Sequence, residues 1–225
     1  MIVRMIVHTL LWLVGMGALL FGAAGTLAWP NAWWLLLEMG VLSIGAGWWL
    51  AVTDPALLAE RMSVFGQRGQ SRFDRVFMPC AAIGWTAWLV LMGIDAVRVR
   101  WSQVPPALSV LGALGICVCI VFTLFVFRAN SYAAPVVKLQ AERGHRVIDF
   151  GPYAVVRHPM YAGAILYLAG MPLLLGSWLG LACVPLLVAG IGWRAVLEER
   201  ILAAQLDGYA AYMRKVRYRF VPYVW

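Results

Sequence analysis

Long apolar runs dominate the chain, and polar residues gather in only three places. Six apolar segments can be drawn, at roughly 6–28, 31–53, 76–94, 106–127, 160–175 and 177–197. Four hold about 19 residues or more, enough for a helix to cross a bilayer, and the third is marginal. The fifth, about 16 residues, makes only about 24 Å of helix. It ends at Pro172, Gly176 and Ser177, so the last two segments form a tight hairpin with a short first arm. The polar stretches are 54–75, 128–159 and 198–225. The first segment is longer than a leader's apolar core and is read as a span. The pattern predicts an all-α, polytopic membrane helix bundle of about six spans. Residues 1–127 form an N-terminal four-span region. Residues 128–225 carry a loop, the hairpin and a polar tail, with a pocket at the cytoplasmic face.

Composition agrees. Of 225 residues, 63% are hydrophobic and 12% charged, and mean hydropathy is +0.81. Soluble domains are nearer half apolar and a quarter charged. The net charge of +8 raises the question of nucleic acid, but no nucleic-acid motif accompanies it. The basic residues segregate instead: sixteen of the eighteen fall on one side of a six-span arrangement, and only Arg98 and Arg100 on the other. Cytoplasmic loops collect such residues, which puts both termini inside the cell. Cys80, Cys117, Cys119 and Cys183 all lie in apolar runs and read as small packing residues. His8, His145 and His158 are scattered without a ligand pair at helical spacing, so no metal site is expected.

Residues 128–163, RANSYAAPVVKLQAERGHRVIDFGPYAVVRHPMYAG, are the least apolar long stretch. Gly151-Pro152 marks a turn, and Pro159 suits the first turn of a helix. Arg157 and His158 then sit at the mouth of the fifth span, whose free N–H groups favour an anion. The sixth span returns to the same face at Arg194, Glu198 and Glu199. Arg194 and Glu198, four apart, share one helix side, whereas Glu198 and Glu199 are about 100° apart, so one of them faces the pocket. Arginines, carboxylates and the aromatic Tyr153, Tyr161 and Trp193 together suit a zwitterionic, partly aromatic ligand; S-adenosylmethionine is one that fits.

The C-terminal half resembles the isoprenylcysteine carboxyl methyltransferase family, which is similar to the phospholipid N-methyltransferases. The resemblance rests on Asn130-Ser131-Tyr132, Gln140, His145-Arg146-Val147-Ile148, Gly151-Pro152-Tyr153, Arg157-His158-Pro159-Met160-Tyr161-Ala162-Gly163, Arg194 with Glu198-Glu199, and Gly208-Tyr209 with Tyr212. It covers about residues 128–222, and no motif is matched in the first four spans. It implies methyl transfer from S-adenosyl-L-methionine to a lipophilic or amphiphilic acceptor, a carboxylate, amine or thiol, at the cytoplasmic face. It implies cofactor contacts at Gln140, His145, Arg146, Val147, Ile148, Tyr153, His158, Pro159, Met160, Tyr161, Glu198 and Glu199. Asn130, Tyr132 and Arg194 are implied on the substrate side, with Arg157 and Arg194 as candidate catalytic residues. Membrane lipids and a lipid-linked or lipophilic substrate are the expected partners, and no nucleic acid.

Two other functions compete. Membrane sterol reductases have a related hairpin and use NADPH, but here Pro159 and the glutamate pair favour methyl transfer. A transporter would line several spans with charge, and only Glu38 lies well inside one; it is expected to pair within the bundle. Asp54-Pro55 through Arg61-Met62 reads as an amphipathic interfacial segment able to cap the pocket.

Overall fold

The computed structural model describes residues 1–63, 67 and 69–225; of the basic residues counted above, Arg68 lies outside them. All regular structure among the described residues is helical. The helices are α1 (Ile2–Ala24), α2 (Pro30–Thr53), α3 (Pro55–Arg61), α4 (Arg72–Gly93), α5 (Pro106–Ala129), α6 (Pro159–Leu175), α7 (Trp178–Ala182), α8 (Val184–Gln205) and α9 (Tyr209–Lys215). A π-turn, Ile94–Arg98, extends α4. Five segments are long and apolar enough to cross a bilayer: α1, α2, α4 with its π-turn, α5, and α7–α8 together. The helix α6 is apolar but has 17 residues, or about 25 Å, and makes the short sixth member.

The helix starts follow local chemistry. Proline occupies the first turn of α2, α3, α5, α6 and α8, where its missing N–H goes unused. Ser71 caps α4, and Asp54 caps α3. Three spans differ from the apolar runs. The first runs Ile2–Ala24 rather than 6–28, ended by Gly25 in the left-handed region at φ +73°. The third span starts at Arg72 rather than near residue 76, because the Ser71 cap begins the helix inside the polar stretch. The last span continues past residue 197 to Gln205, through a polar stretch in which Glu199 is buried while Arg200 and Gln205 are exposed.

The hairpin turn sits at the end away from the polar loops. Gly176 closes α6 with φ +87°, a conformation easy only for glycine. Buried Asp95 then locks the turn: its Oδ2 accepts from Ser177 Oγ at 2.5 Å, Ser102 Oγ at 2.6 Å and the Leu179 N–H at 3.2 Å. Asn31 Nδ2 donates to the Leu174 carbonyl and Trp88 Nε1 to that of Gly180. These bonds tie α2, α4, α6 and α7 at one end. Side chains outside the core, such as Val3, Leu11, Val14, Val41, Ile83 and Leu186, present apolar surface outward, as a lipid-facing bundle must.

Helices α5 and α6 pack most closely. A Cβ on Gly170 would lie 2.5 Å from the Gly112 carbonyl oxygen, and one on Gly112 equally near that of Gly170. Small residues at facing positions let two backbones touch, which is how helices associate where lipid removes the hydrophobic drive. This contact holds α6, and with it the Arg157-His158-Pro159 corner, against α5.

Candidate active site

The mouth of α6 is fixed from both sides. The Arg157 and His158 N–H groups donate to the carbonyls of Tyr218 and Arg219, so the C-terminal tail runs beside the corner like a strand. Arg157 Nε donates to Glu199 Oε1 at 2.6 Å, and its Nη1 to the Val216 and Arg217 carbonyls. His158 Nε2 lies 3.2 Å from the same carboxylate oxygen, and Arg219 Nε donates to Glu199 Oε2 at 2.9 Å. Glu199 is 2% exposed. A carboxylate this buried persists because three charge-assisted partners surround it.

One helical turn earlier, Arg194 is equally occupied. Its Nε donates to Asp74 Oδ1 at 2.9 Å, its Nη1 to the Tyr161 hydroxyl, and its Nη2 to the Pro135 carbonyl at 2.8 Å. Asp74, fully buried, also accepts from the Val137 N–H at 2.9 Å. The pair joins α4, α8 and the loop before α6.

Glu198 points the other way, as the helix geometry requires. Its Oε2 accepts from the Tyr161 hydroxyl at 2.9 Å, and its side chain is 25% exposed. It faces a cavity bounded by the first turn of α6, the end of α8, α9 and the loop 130–153. The cavity's volume is about 100 Å³. It forms a narrow slot. On one wall the Tyr132 and His145 rings stack at 4.5 Å and 26°. The hydroxyl of Tyr153 accepts from Asn130 Nδ2, and Tyr212 donates to the Tyr153 carbonyl. Tyr209, Leu202 and Leu206 complete the apolar part.

His145 is neutral-leaning: burial lowers its pKa, and Arg143 lowers it further. Its Nδ1 accepts the Gln140 N–H, so the proton sits on Nε2 and the ring presents a donor. Burial raises the phenol pKa values of Tyr153, Tyr209 and Tyr212, so all three act as neutral hydroxyls.

Of the residues singled out in the sequence, Asn130, Tyr132, His145, Arg146, Val147, Ile148, Tyr153, Arg157, His158, Pro159, Met160, Tyr161, Arg194 and Glu198 all line this cavity. Gln140, Glu199 and Trp193 are not in its lining; Trp193 is exposed on the far side of α8 and packs edge-on against Phe73. Gln140 is fully buried; its Nε2 donates to the Tyr132 carbonyl at 2.8 Å and its Oε1 accepts from Arg143. It braces the loop, as Glu199 braces the corner. Sequence reading passed over Asp74, Arg219 and Phe220, which packs edge-on against Tyr161 and His158. Glu38 does pair within the bundle, accepting from Cys117 Sγ at 3.1 Å.

Below the slot, an apolar cleft of about 750 Å³ runs between α1, α2, α5 and α6. Met160 lines both spaces. Helix α3 covers one end through Leu58 and Arg61.

Fold and site together define a class: a helical membrane protein in which a polar slot at the basic face meets a greasy cleft within the bundle. The comparisons agree with that class. Residues 108–207 match the family model described as phospholipid methyltransferase, a segment just under half of the chain that runs from α5 into the turn after α8. The fold is similar to the solved structure of the eukaryotic intramembrane Ras methyltransferase, an isoprenylcysteine carboxyl methyltransferase, without a monobody. That likeness has a TM-score of 0.58 at 21% identity and covers 95% of this chain and 74% of the other. No curated protein sequence matches the chain. The match over residues 108–207 supports the methyltransferase resemblance read from the sequence, and the structural likeness supports the helical membrane fold.

Proposed function

We propose that the protein transfers a methyl group from S-adenosyl-L-methionine to a lipophilic acceptor at the cytoplasmic face of a membrane. The observation that carries this reading is the meeting of the polar slot with the apolar cleft at Met160. A soluble, zwitterionic donor and a membrane-borne acceptor need separate approaches that end beside each other. The match of residues 108–207 to the phospholipid methyltransferases supports the reaction class.

The donor set suits the cofactor. Glu198 is the acidic group in the slot's lining and matches an ammonium or a sulfonium. The Met160 N–H, in the first turn of α6, has no carbonyl of its own helix to reach and matches a carboxylate. Tyr132 and His145 offer stacked ring faces to a base. When bound, S-adenosylmethionine supplies a methyl carbon already activated by its sulfonium. The chain's own residues need only orient the two partners and keep water out. The Arg157–Glu199–Arg219 and Arg194–Asp74 clusters hold the walls of the slot at a fixed spacing. Tyr161, bonded to both Arg194 and Glu198, passes that rigidity to the acidic group.

The segregation of basic residues supports a cytoplasmic site with both termini inside. The test is direct. Purified protein in lipid nanodiscs is incubated with methyl-labelled S-adenosylmethionine and a membrane extract. Label in a lipid-soluble product, lost in Glu198→Gln, is the expected result. No transfer to any component of the extract contradicts the proposal.

A further inference from the structure

Arg61, at the end of α3, sits in an unusual electrostatic position. Its Nη1 donates to the Ala133 carbonyl at 2.9 Å and reaches Met160 Sδ at 3.8 Å. Its guanidinium lies 4.5 Å from the centre of the Phe127 ring. Among the described residues no carboxylate comes within ion-pair distance: Glu60 pairs with Lys138 at 2.7 Å, and Asp54 caps α3 and faces Arg143. Burial lowers its pKa to about 10, which leaves it charged at neutral pH. By contrast, Arg157 and Arg194 each have a carboxylate partner, Glu199 and Asp74. Among the described residues, Arg61 is the one arginine, lysine or acid in the lining of the apolar cleft.

A cation held in apolar surroundings without a counter-charge pays a desolvation penalty that a bound anion relieves. Arg61 is held there by construction: Leu57 and Leu58 bury the inner face of α3, and the Asp54 cap fixes its start. Its contact with Met160 puts the charge beside the residue shared by cleft and slot.

We infer that Arg61 is the acceptor-binding cation: the acceptor's apolar chain lies in the cleft and an oxyanion of its head pairs with Arg61. This deepens the proposed methyl transfer and rests on it for the word acceptor. The oxyanion has two possible sources. It is the carboxylate that itself takes the methyl, in which case an oxygen lone pair forms the new O–CH3 bond, the S–CH3 bond breaks towards sulfur, and no proton need leave. Or it is a phosphate beside an amine that takes the methyl and then releases a proton to water.

The experiment uses the full chain in nanodiscs of neutral lipid, with empty discs as background. Binding of labelled dodecanoate, dodecyl phosphate and dodecylamine is measured for wild type, Arg61→Gln and Arg61→Lys. Both anions are expected to bind wild type in preference to the amine. Arg61→Gln weakens both by about tenfold or more, and Arg61→Lys, with a point charge in place of a fork, by less. Unchanged anion binding in Arg61→Gln, or an amine that binds wild type as tightly as the anions, overturns the inference. Should Arg61→Gln fail to fold, the wild-type preference among the three probes decides alone. Titration with S-adenosylmethionine in the same discs separates the two readings. Wild type that binds anions through Arg61 but not S-adenosylmethionine refutes the methyl transfer only; the reverse pattern refutes the role of Arg61 only. In turnover with extract, a base-labile methyl ester identifies the carboxylate source and a base-stable methylamine the phosphate source. Each should show a raised KM in Arg61→Lys; a product of either kind formed with unchanged KM contradicts the inference.

Discussion

Arg157 and Glu199, 42 residues apart in sequence, join at 2.6 Å across the open end of the α6–α8 hairpin. The bond closes a loop of structure that begins and ends at the same membrane face. Neighbouring Glu198, one residue earlier, is left facing the slot. The two glutamates therefore divide the labour, one holding the walls and one available to a ligand.

That division is measurable. Glu199→Gln leaves buried Arg157 and half-buried Arg219 beside a neutral amide, and breaking a buried ion pair from one side costs about 3–5 kcal/mol. A lower melting temperature in detergent is the expected outcome. Glu198→Gln removes a partly exposed charge whose partners are the Tyr161 hydroxyl and, at 4.0 Å, His158 Nδ1; it should change the melting temperature far less than Glu199→Gln while weakening S-adenosylmethionine by about ten- to a hundredfold, the worth of one charge-assisted hydrogen bond. Equal effects of the two variants on both readouts would contradict the assignment.

The Arg194–Asp74 pair leads to a related expectation. Asp74→Asn leaves Arg194 with the Tyr161 hydroxyl and the Pro135 carbonyl but no counter-charge. Loss of about 3 kcal/mol or more is expected, with α4 released from the loop before α6. Limited proteolysis should then cut near residues 134–140, which wild type protects.

His145 gives a pH signature. Its pKa is lowered in the folded protein, first by burial and then by Arg143, while the unfolded chain titrates near 6.5. The unfolded state therefore takes up the proton first. Stability contributed by neutral His145 is present above about pH 6.5 and is lost as pH falls through and below that value. Melting temperature followed from pH 7.5 to 5 should drop more steeply in wild type than in His145→Gln. Parallel curves would show that the ring is not held neutral.

Close backbone contact between α5 and α6 makes a fourth prediction. In Gly170→Ala the new methyl would meet the Gly112 carbonyl oxygen at 2.5 Å. The helices must part, at about 1–3 kcal/mol. A control at Gly190, where a Cβ meets nothing within 4 Å, should be tolerated.

Much of the fold was legible because membrane spans are written locally. Apolar run length and the sidedness of arginine located the helices and the hairpin, and the pairing of the RHPMY corner with the glutamates follows from topology. Ends were misjudged where a helix runs on through exposed polar residues, as at Arg72 and Gln205, because apolar run length marks the bilayer-crossing part of a helix and not its solvated turns. Asp74 gave no signal at all. One aspartate in the first turn of a span looks like helix-end decoration, and its partner Arg194 lies 120 residues away. The tail was opaque for the same reason: Arg219 and Phe220 matter through contacts with α6 and α8, not through any local pattern. Gln140 shows the converse, a motif residue whose position in the loop, rather than in the slot, only packing reveals.

The central claim is that the slot beside Glu198 holds S-adenosylmethionine. Isothermal titration of the nanodisc-embedded protein with S-adenosylmethionine and, separately, with NADPH tests it most directly. Saturable one-to-one binding of S-adenosylmethionine, weakened at least about tenfold by Glu198→Gln and absent for NADPH, is the predicted result. Binding of NADPH instead, or S-adenosylmethionine affinity indifferent to Glu198, would contradict it.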